Sequence, residues 1–242
     1  MDIKLPPTLP GKEAHLKMAP LPRVITLVQE LAPPAQARES AVLVLLTPPK
    51  LSDSKIVAAR ENIPGWENIP DRENLSGGEI VPVWLQLPDW ELLLIRRNTY
   101  DGVHSGQIAF PGGKRDIEDP DLIATACREA YEELGICKER FTVIGELSKL
   151  YVPPSNFTIH PVFALSKVSI DYKPNPREVA EYLTIPLKEF DPANSQICRV
   201  QAGSYEWVDA PGFVIGEHSV WGATAMIISE LWHIVSDMSQ NN

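Results

Sequence analysis

The chain has 242 residues, 44% of them hydrophobic and 22% charged, an ordinary globular composition able to bury a sizeable core. A net charge of −10 excludes a general nucleic-acid-binding protein, which needs a basic surface, and requires a metal or local Arg/Lys to bring in any anionic substrate. No apolar run approaches the ~20 residues of a membrane helix and no secretory signal is read; Cys127, Cys137 and Cys198 form neither a disulfide framework nor a zinc pattern, so a cytoplasmic protein without a membrane partner is expected.

Residues 1–20 are Pro-rich and read as extended or disordered. Residues 21–32 carry Val24, Leu27, Val28 and Leu31 at helical spacing, and Pro33 and Pro34 stop that helix. The two stretches make an N-terminal extension over 1–40, and the main domain runs over 41–238. AVLVLLT (41–47) reads as a buried strand. Residues 48–79 break the pattern: Pro48 and Pro49 open them, ENIP occurs at 61–64 and 67–70, and REN returns at 72–74. This degenerate repeat is too brief for a solenoid and reads as an inserted surface loop, with partner binding as the alternative.

Residues 80–97 read as two strands joined at Pro88-Asp89. FTVIGEL (141–147) and FTIHPVFAL (157–165) are strand-like, and residues 204–216 read as another hairpin. Residues 219–238 read as a C-terminal helix, with Val220, Trp221, Ile227, Ile228, Leu231, Trp232 and Val235 on one face. His218 and Ser219 fall at its start, Ser219 as the cap. Strands and helices mix without strict alternation, which predicts an α+β fold, an α/β/α sandwich.

The segment 112–136, GGKRDIEDPDLIATACREAYEELGI, carries the chemistry. Asp119 suits an N-cap, Pro120 the first helical position and Gly135 the C-terminal stop. At about 100° per residue, Glu129, Glu132 and Glu133 share one face, and Ile123, Cys127, Ala130 and Leu134 share the opposite one. Three clustered carboxylates repel, and they lie toward the end of the helix whose dipole disfavours anions. Arg128, four residues before Glu132, offsets part of this; divalent cations with oxygen ligands would offset far more, bridge to phosphate oxygens and activate water. The alternative is a solvated acidic face. The Phe110-Pro111-Gly112-Gly113 loop favours the former, because two glycines let backbone approach a phosphate or metal closely.

These residues resemble the Nudix box, G-x5-E-x7-R-E-U-x-E-E-x-G-U, where U is a bulky apolar residue. Arg128-Glu129-Ala130-Tyr131-Glu132-Glu133-Leu134-Gly135-Ile136 matches its second half, with small Ala130 at the first U. The first half holds one extra residue, and either Glu118 or Asp119 could take the place of its first acid. The resemblance implies a mixed sheet between helices. It implies Mg²⁺ or Mn²⁺ held by Glu129, Glu132 and Glu133, an Arg128 that orients a carboxylate, and water attack on a nucleoside diphosphate derivative. The base is a glutamate of the box or one recruited from a loop. Family members are often dimers, which leaves a homodimer open through the N-terminal helix or the insertion.

A narrower resemblance points to coenzyme A diphosphatases. It rests on HSGQIAFPGG (104–113), NPREVAEYLTIPL (175–187) and HSVWGATAMII (218–228). Of that group's upstream signature, L-L-T-x-R-[SA]-x3-R-x3-G-x3-F-P-G-G, the chain keeps Leu93, Leu94, Arg97, Gly106 and Phe110 to Gly113; Ile95, Asn98 and Gly102 stand where Thr, Ser or Ala, and the second Arg are expected. The implied reaction cuts coenzyme A or its thioesters into adenosine 3′,5′-diphosphate and 4′-phosphopantetheine. ADP-ribose or a dinucleotide is the alternative substrate, and a nucleotide sensor without turnover the alternative class. Arg96, Arg97, Gly112, Gly113 and Lys114 are the candidate substrate contacts, with Arg115 a further available cation. Glu178 is the candidate extra ligand or base, with Glu181 behind it. His104 and His160 are weaker acid–base candidates. Trp221, Trp232 and Cys127 read as core.

Overall fold

A computed structural model describes residues 4–28, 33–49, 87–99, 105–166, 168–202 and 206–240. Strand β1 (Arg38–Thr47) is buried on both faces over most of its length, as its run of Val and Leu demands. Its side chains alternate between two cores: Leu43 and Leu45 enter one, Val44 and Leu46 the other. It pairs in parallel with β7 (Phe157–Leu165), and β2 (Glu91–Arg97) runs antiparallel against its C-terminal end. The sheet continues through β3 (Ile108–Ala109) beyond β2 and β5 (Thr142–Glu146) beyond β7. Short β4 (Gly112–Lys114) pairs with the start of β1, β6 (Leu150–Val152) with β7, and β8 (Val179–Pro186) with β2. β2 and β4 meet opposite ends of β1.

Four helices are described: α1 (Gly11–Lys17), α2 (Leu21–Val28), α3 (Leu122–Leu134) and α4 (Gly222–Gln240). Helix α3 lays Ala126, Ala130 and Leu134 on Leu43, Leu45, Leu93, Ile95 and Val162. Helix α4 covers the other face, packing Ala225, Met226, Ile228 and Leu231 with Val44, Leu46, Leu94 and Phe163. The result is the α+β arrangement expected, a mixed sheet between helices. No helix among the described residues is long and apolar enough to cross a membrane.

Several elements differ from expectation. The N-terminal stretch is not extended: residues 11–17 form α1, and Ala14 and Met18 are buried against α4. Pro10 sits at the N-cap of α1, where a missing N–H costs nothing, and burying Met18 contributes about 1.5–3 kcal/mol. The predicted hairpin over 204–216 is one strand, β10 (Glu206–Ile215), between β9 (Gln196–Ala202) and β11 (His218–Trp221) in a second sheet. His218 and Ser219 therefore lie on a strand, and Ser219 caps no helix. α4 begins only at Gly222. The insertion read at 48–79, and the first strand of the hairpin read over 80–97, fall almost entirely outside the described residues. Pro88-Asp89 lies in a single 3-10 turn, Leu87–Asp89, leading into β2.

Candidate active site

Helix α3 begins two residues later than its sequence suggests. Asp121, not Asp119, is the N-cap, and its side chain accepts from Ala124 N at 2.7 Å. Gly135 ends the helix in the left-handed conformation (φ 67°) as expected. The displaced Asp119 is buried instead against Arg128, which donates to both its carboxylate oxygens, each at 3.0 Å. Thr125 Oγ1 and Asp116 N also donate to it, at 2.9 and 3.0 Å. Those bonds, Arg128 foremost, hold the Asp119 carboxyl down at about 2. Of the two acids left open by the spacing, Asp119 is the one Arg128 grips; Glu118 is exposed. Sequence reasoning missed Thr125 and the N-cap at Asp121; the Asp-Pro-Asp run permitted either cap.

Arg128 gathers further acids. Its Nη1 lies 3.0 Å from Glu129 and 2.9 Å from Glu132, and its Nη2 donates to the Lys114 carbonyl at 3.1 Å. It ties the β4 loop to the helix and touches the carboxylates, as an orienting residue would.

The three glutamates do not share one environment. Glu132 is exposed, and Glu129 is half-buried. Glu133 is 1% exposed, because Thr125, Glu129 and Glu133 form a stripe at four-residue spacing that faces β4 rather than solvent. The expected single open face of three carboxylates is corrected in this respect. The glycine pair explains the contact. Gly112 (φ 154°) passes so close to β1 that a Cβ there would lie 2.4 Å from Ala41 O. Its N–H donates to Glu133 Oε2 at 2.9 Å. A Cβ on Gly113 would sit 2.5 Å from the Glu129 carboxylate. Glycine at both positions lets backbone lie directly on the acids.

Compensation for Glu133 is thin: one N–H and Arg97 Nη1 at 4.0 Å. Burial pushes its carboxyl up to about 7, against the pull of Gly112 N–H and Arg97, and Glu129 and Glu178 add to the rise. Glu129 is also raised, by burial first, while Arg128 opposes. The charge of Glu178 acts on both. Glu178 sits on an exposed turn that docks on the end of α3 through Asn175 N→Glu133 O and Lys173 N→Leu134 O, both 2.8 Å.

The candidate cations divide. Arg97 points at Glu133, and its Nε is buried without a hydrogen-bond partner. Arg96 is paired with Glu181, which also lies 3.4 Å from His218 Nε2. Arg115 pairs with Glu39 at 3.1 Å, and Lys114 is exposed beside the loop. Arg96 and Glu181 are thus brought to each other rather than to the acidic helix. His160 is half-buried between Glu39 and Glu146, 3.9 and 3.8 Å away, and burial lowers it. His104 and Gly102 lie outside the described residues.

Among the described residues, no three His, Cys, Asp or Glu side chains stand converged as metal ligands. Arg128 holds Glu132, and the Gly112 N–H holds Glu133. The donor set still fits a hard divalent cation: carboxylate oxygens on one helix, a buried under-compensated Glu133, and backbone pressed onto Glu129 where nothing larger than glycine fits.

Comparison with known proteins decides the family. The NUDIX domain profile matches residues 78–208, more than half the chain. The chain belongs to the Nudix hydrolase family. The Nudix hydrolase NudL of Photorhabdus laumondii is 33% identical over 153 residues, 60% of this chain and 76% of that protein. NudL of Pectobacterium atrosepticum is 35% identical over 178 residues, 69% and 86% of the two chains. The human mitochondrial coenzyme A diphosphatase NUDT8 is 37% identical over 144 residues, 56% of this chain and 58% of that one. A solved Nudix hydrolase from M. smegmatis, RenU, aligns with a TM-score of 0.48 at 16% identity, covering 84% of this chain and 88% of that one. Arg128 to Ile136, the stretch that resembles the second half of the Nudix box, falls within the matched residues and runs from α3 into the turn that ends it.

Proposed function

We propose that this Nudix hydrolase cleaves the diphosphate bond of a nucleoside diphosphate derivative, and that its substrate is coenzyme A or a coenzyme A thioester. The observation that carries the reading is the Gly112–Gly113 backbone lying on the carboxylates of α3. Glu129, Glu132 and Glu133 would hold Mg²⁺ or Mn²⁺. A cation there supplies charge neutralisation at phosphate oxygens and acidifies water.

The chain's own residues do the rest. Arg128 orients Glu129 and Glu132 and fixes the loop. Gly112 N–H and Arg97 place Glu133. Glu178 accepts the proton of the attacking water. The water oxygen bonds to one phosphorus, the bridging P–O bond breaks, and the leaving phosphate keeps the electron pair. Arg97 and Lys114 are the cations left to meet substrate phosphates, since Glu181 engages Arg96. Similarity to NUDT8 and the FPGG loop support coenzyme A. The products would be adenosine 3′,5′-diphosphate and 4′-phosphopantetheine. Three unpaired cysteines support a reducing, cytoplasmic setting.

A second reading, ADP-ribose or a dinucleotide, is favoured by Ile95. It stands where the coenzyme A signature has Thr, and it is wholly buried under α3. Chromatographic product analysis with Mg²⁺ or Mn²⁺ tests both, using coenzyme A, acetyl-coenzyme A, ADP-ribose, NADH and a diadenosine polyphosphate. Fastest release of adenosine 3′,5′-diphosphate from coenzyme A is expected. A faster second substrate assigns the pocket to that substrate, and no turnover on any leaves a nucleotide sensor.

A further inference from the structure

The turn that carries Glu178 is exposed and short, so something must fix it. Within it, Glu178 N and Val179 N both donate to Asn175 O, at 3.0 and 2.9 Å, and Asn175 Nδ2 donates to Glu178 Oε1 at 3.1 Å. Asn175 N in turn holds the end of α3. These bonds shape one side of the turn. On the other side, among the described residues, the turn is bonded by Asn98, just past the end of β2. Asn98 N donates to Glu178 O at 3.0 Å, and Asn98 Nδ2 donates to Pro176 O at 2.8 Å. Asn98 O also accepts from Gly106 N at 3.3 Å, on the segment that leads into the Gly112 loop.

The location is irregular by construction. The β2–β8 register slips between Arg96, opposite Glu181, and Arg97, opposite Val179. Such a bulge turns side chains away from the regular pleat and leaves the strand end in need of other bonds. Asn98 follows it directly. A serine or alanine there, as in the coenzyme A diphosphatase signature, has no amide to span to Pro176 O. This chain has one.

We propose that Asn98 is a positioning residue: its side-chain amide fixes the 175–178 turn so that Glu178 is held at the C-terminal end of α3, on the side of Glu129 and Glu133. This rests on the reading of Glu178 as a functional group of the site. The backbone bond of Asn98 survives replacement by alanine or serine, so the side-chain tether can be removed alone.

The test compares Asn98→Ala, Asn98→Ser, Glu178→Gln and the double variant Asn98→Ala/Glu178→Gln in the full chain. Mn²⁺ binding is read by titration calorimetry, and kcat and KM with the best substrate from the product screen. Loss of a residue that orients a ligand costs on the order of tenfold in metal affinity or turnover. Asn98→Ala is expected to lose about tenfold in one or both, with KM within about twofold. The double variant should match Glu178→Gln alone, since a residue that acts through Glu178 has nothing left to position. Wild-type Mn²⁺ affinity and kcat in both Asn98 variants would overturn the inference, and so would losses that multiply in the double variant. An unimpaired Glu178→Gln would instead overturn the Glu178 reading itself. Asn98→Ser, with a side chain native to that signature, keeps the comparison available if the alanine variant does not fold.

Discussion

Glu133 on α3 and Glu230 on α4 are buried to the same degree, 1% and 0% exposed, on opposite faces of one sheet. Their surroundings differ. Glu230 Oε2 lies 2.9 Å from His15 Nε2, and Ser148 N donates to both carboxylate oxygens at 3.2 and 3.3 Å. Burial alone would raise Glu230, yet the bonds from His15 and Ser148 hold it below its ordinary value. Glu133 has one N–H and a guanidinium at 4.0 Å, and burial wins. A fully bonded buried carboxylate is a fastener; here it joins α1 to α4. An under-bonded one stores a cost that a ligand can relieve. The same residue type thus closes the fold on one face and leaves chemistry open on the other.

The comparison breaks most visibly at Glu230. Glu230→Ala leaves His15 and Ser148 N buried without their acceptor, and should cost about 3–5 kcal/mol of stability, read by urea unfolding. Turnover per folded molecule should stay at wild type. Glu133→Gln should do the reverse: turnover falls about a hundredfold, or about 2.7 kcal/mol of barrier, while stability without metal holds or rises. Equal stability losses in the two variants would erase the distinction. Asp119→Asn weakens the two bonds from Arg128 and should cost about 1.5 kcal/mol, again by urea unfolding.

The smallest effect is in the pH dependence, where the two glutamates have opposite signs. Glu230 titrates lower in the folded state than unfolded. Its contribution is complete above the unfolded value, about 4.3, and is lost as pH falls through the folded one. Glu133 titrates higher when folded, at about 7. Its neutral form is tolerated below the unfolded value, and stability is lost as pH rises toward 7. In chelator-treated buffer, Glu133→Gln should gain on wild type between about pH 4.5 and 7, and Glu230→Gln should flatten the acid limb. Parallel pH curves for wild type and both variants would contradict these assignments.

Much of this architecture was legible in the sequence, for physical reasons. β7 has the bounds read for FTIHPVFAL, because polar Ser155-Asn156 before it and Ser166-Lys167 after it delimit the apolar run. The box glutamates and the glycine loop stood out through their spacing. What was illegible depended on contacts between segments. Helical periodicity places Glu133 beside Glu129 and Glu132 but cannot show that Gly112 will cover it. Val220 and Trp221 fit the helix that follows them, and a four-residue strand has too little pattern to object. Pro6, Pro7 and Pro10 read as an extended or disordered stretch, yet Pro10 opens a helix whose burial depends on α4, more than 200 residues away. Asp119 reads as a cap because its real partner, Arg128, lies nine residues on, and local spacing does not show that the two will meet.

The most direct measurement pairs turnover with Mn²⁺ binding in Glu132→Gln. Glu132 is exposed, and Arg128 keeps Asp119 and Glu129 as partners, so the variant should unfold like wild type. If α3 is the cation-binding centre of this Nudix hydrolase, calorimetry should show weakened Mn²⁺ binding, and turnover should fall by orders of magnitude. Wild-type turnover and Mn²⁺ affinity in that variant would contradict it and return α3 to a solvated acidic helix.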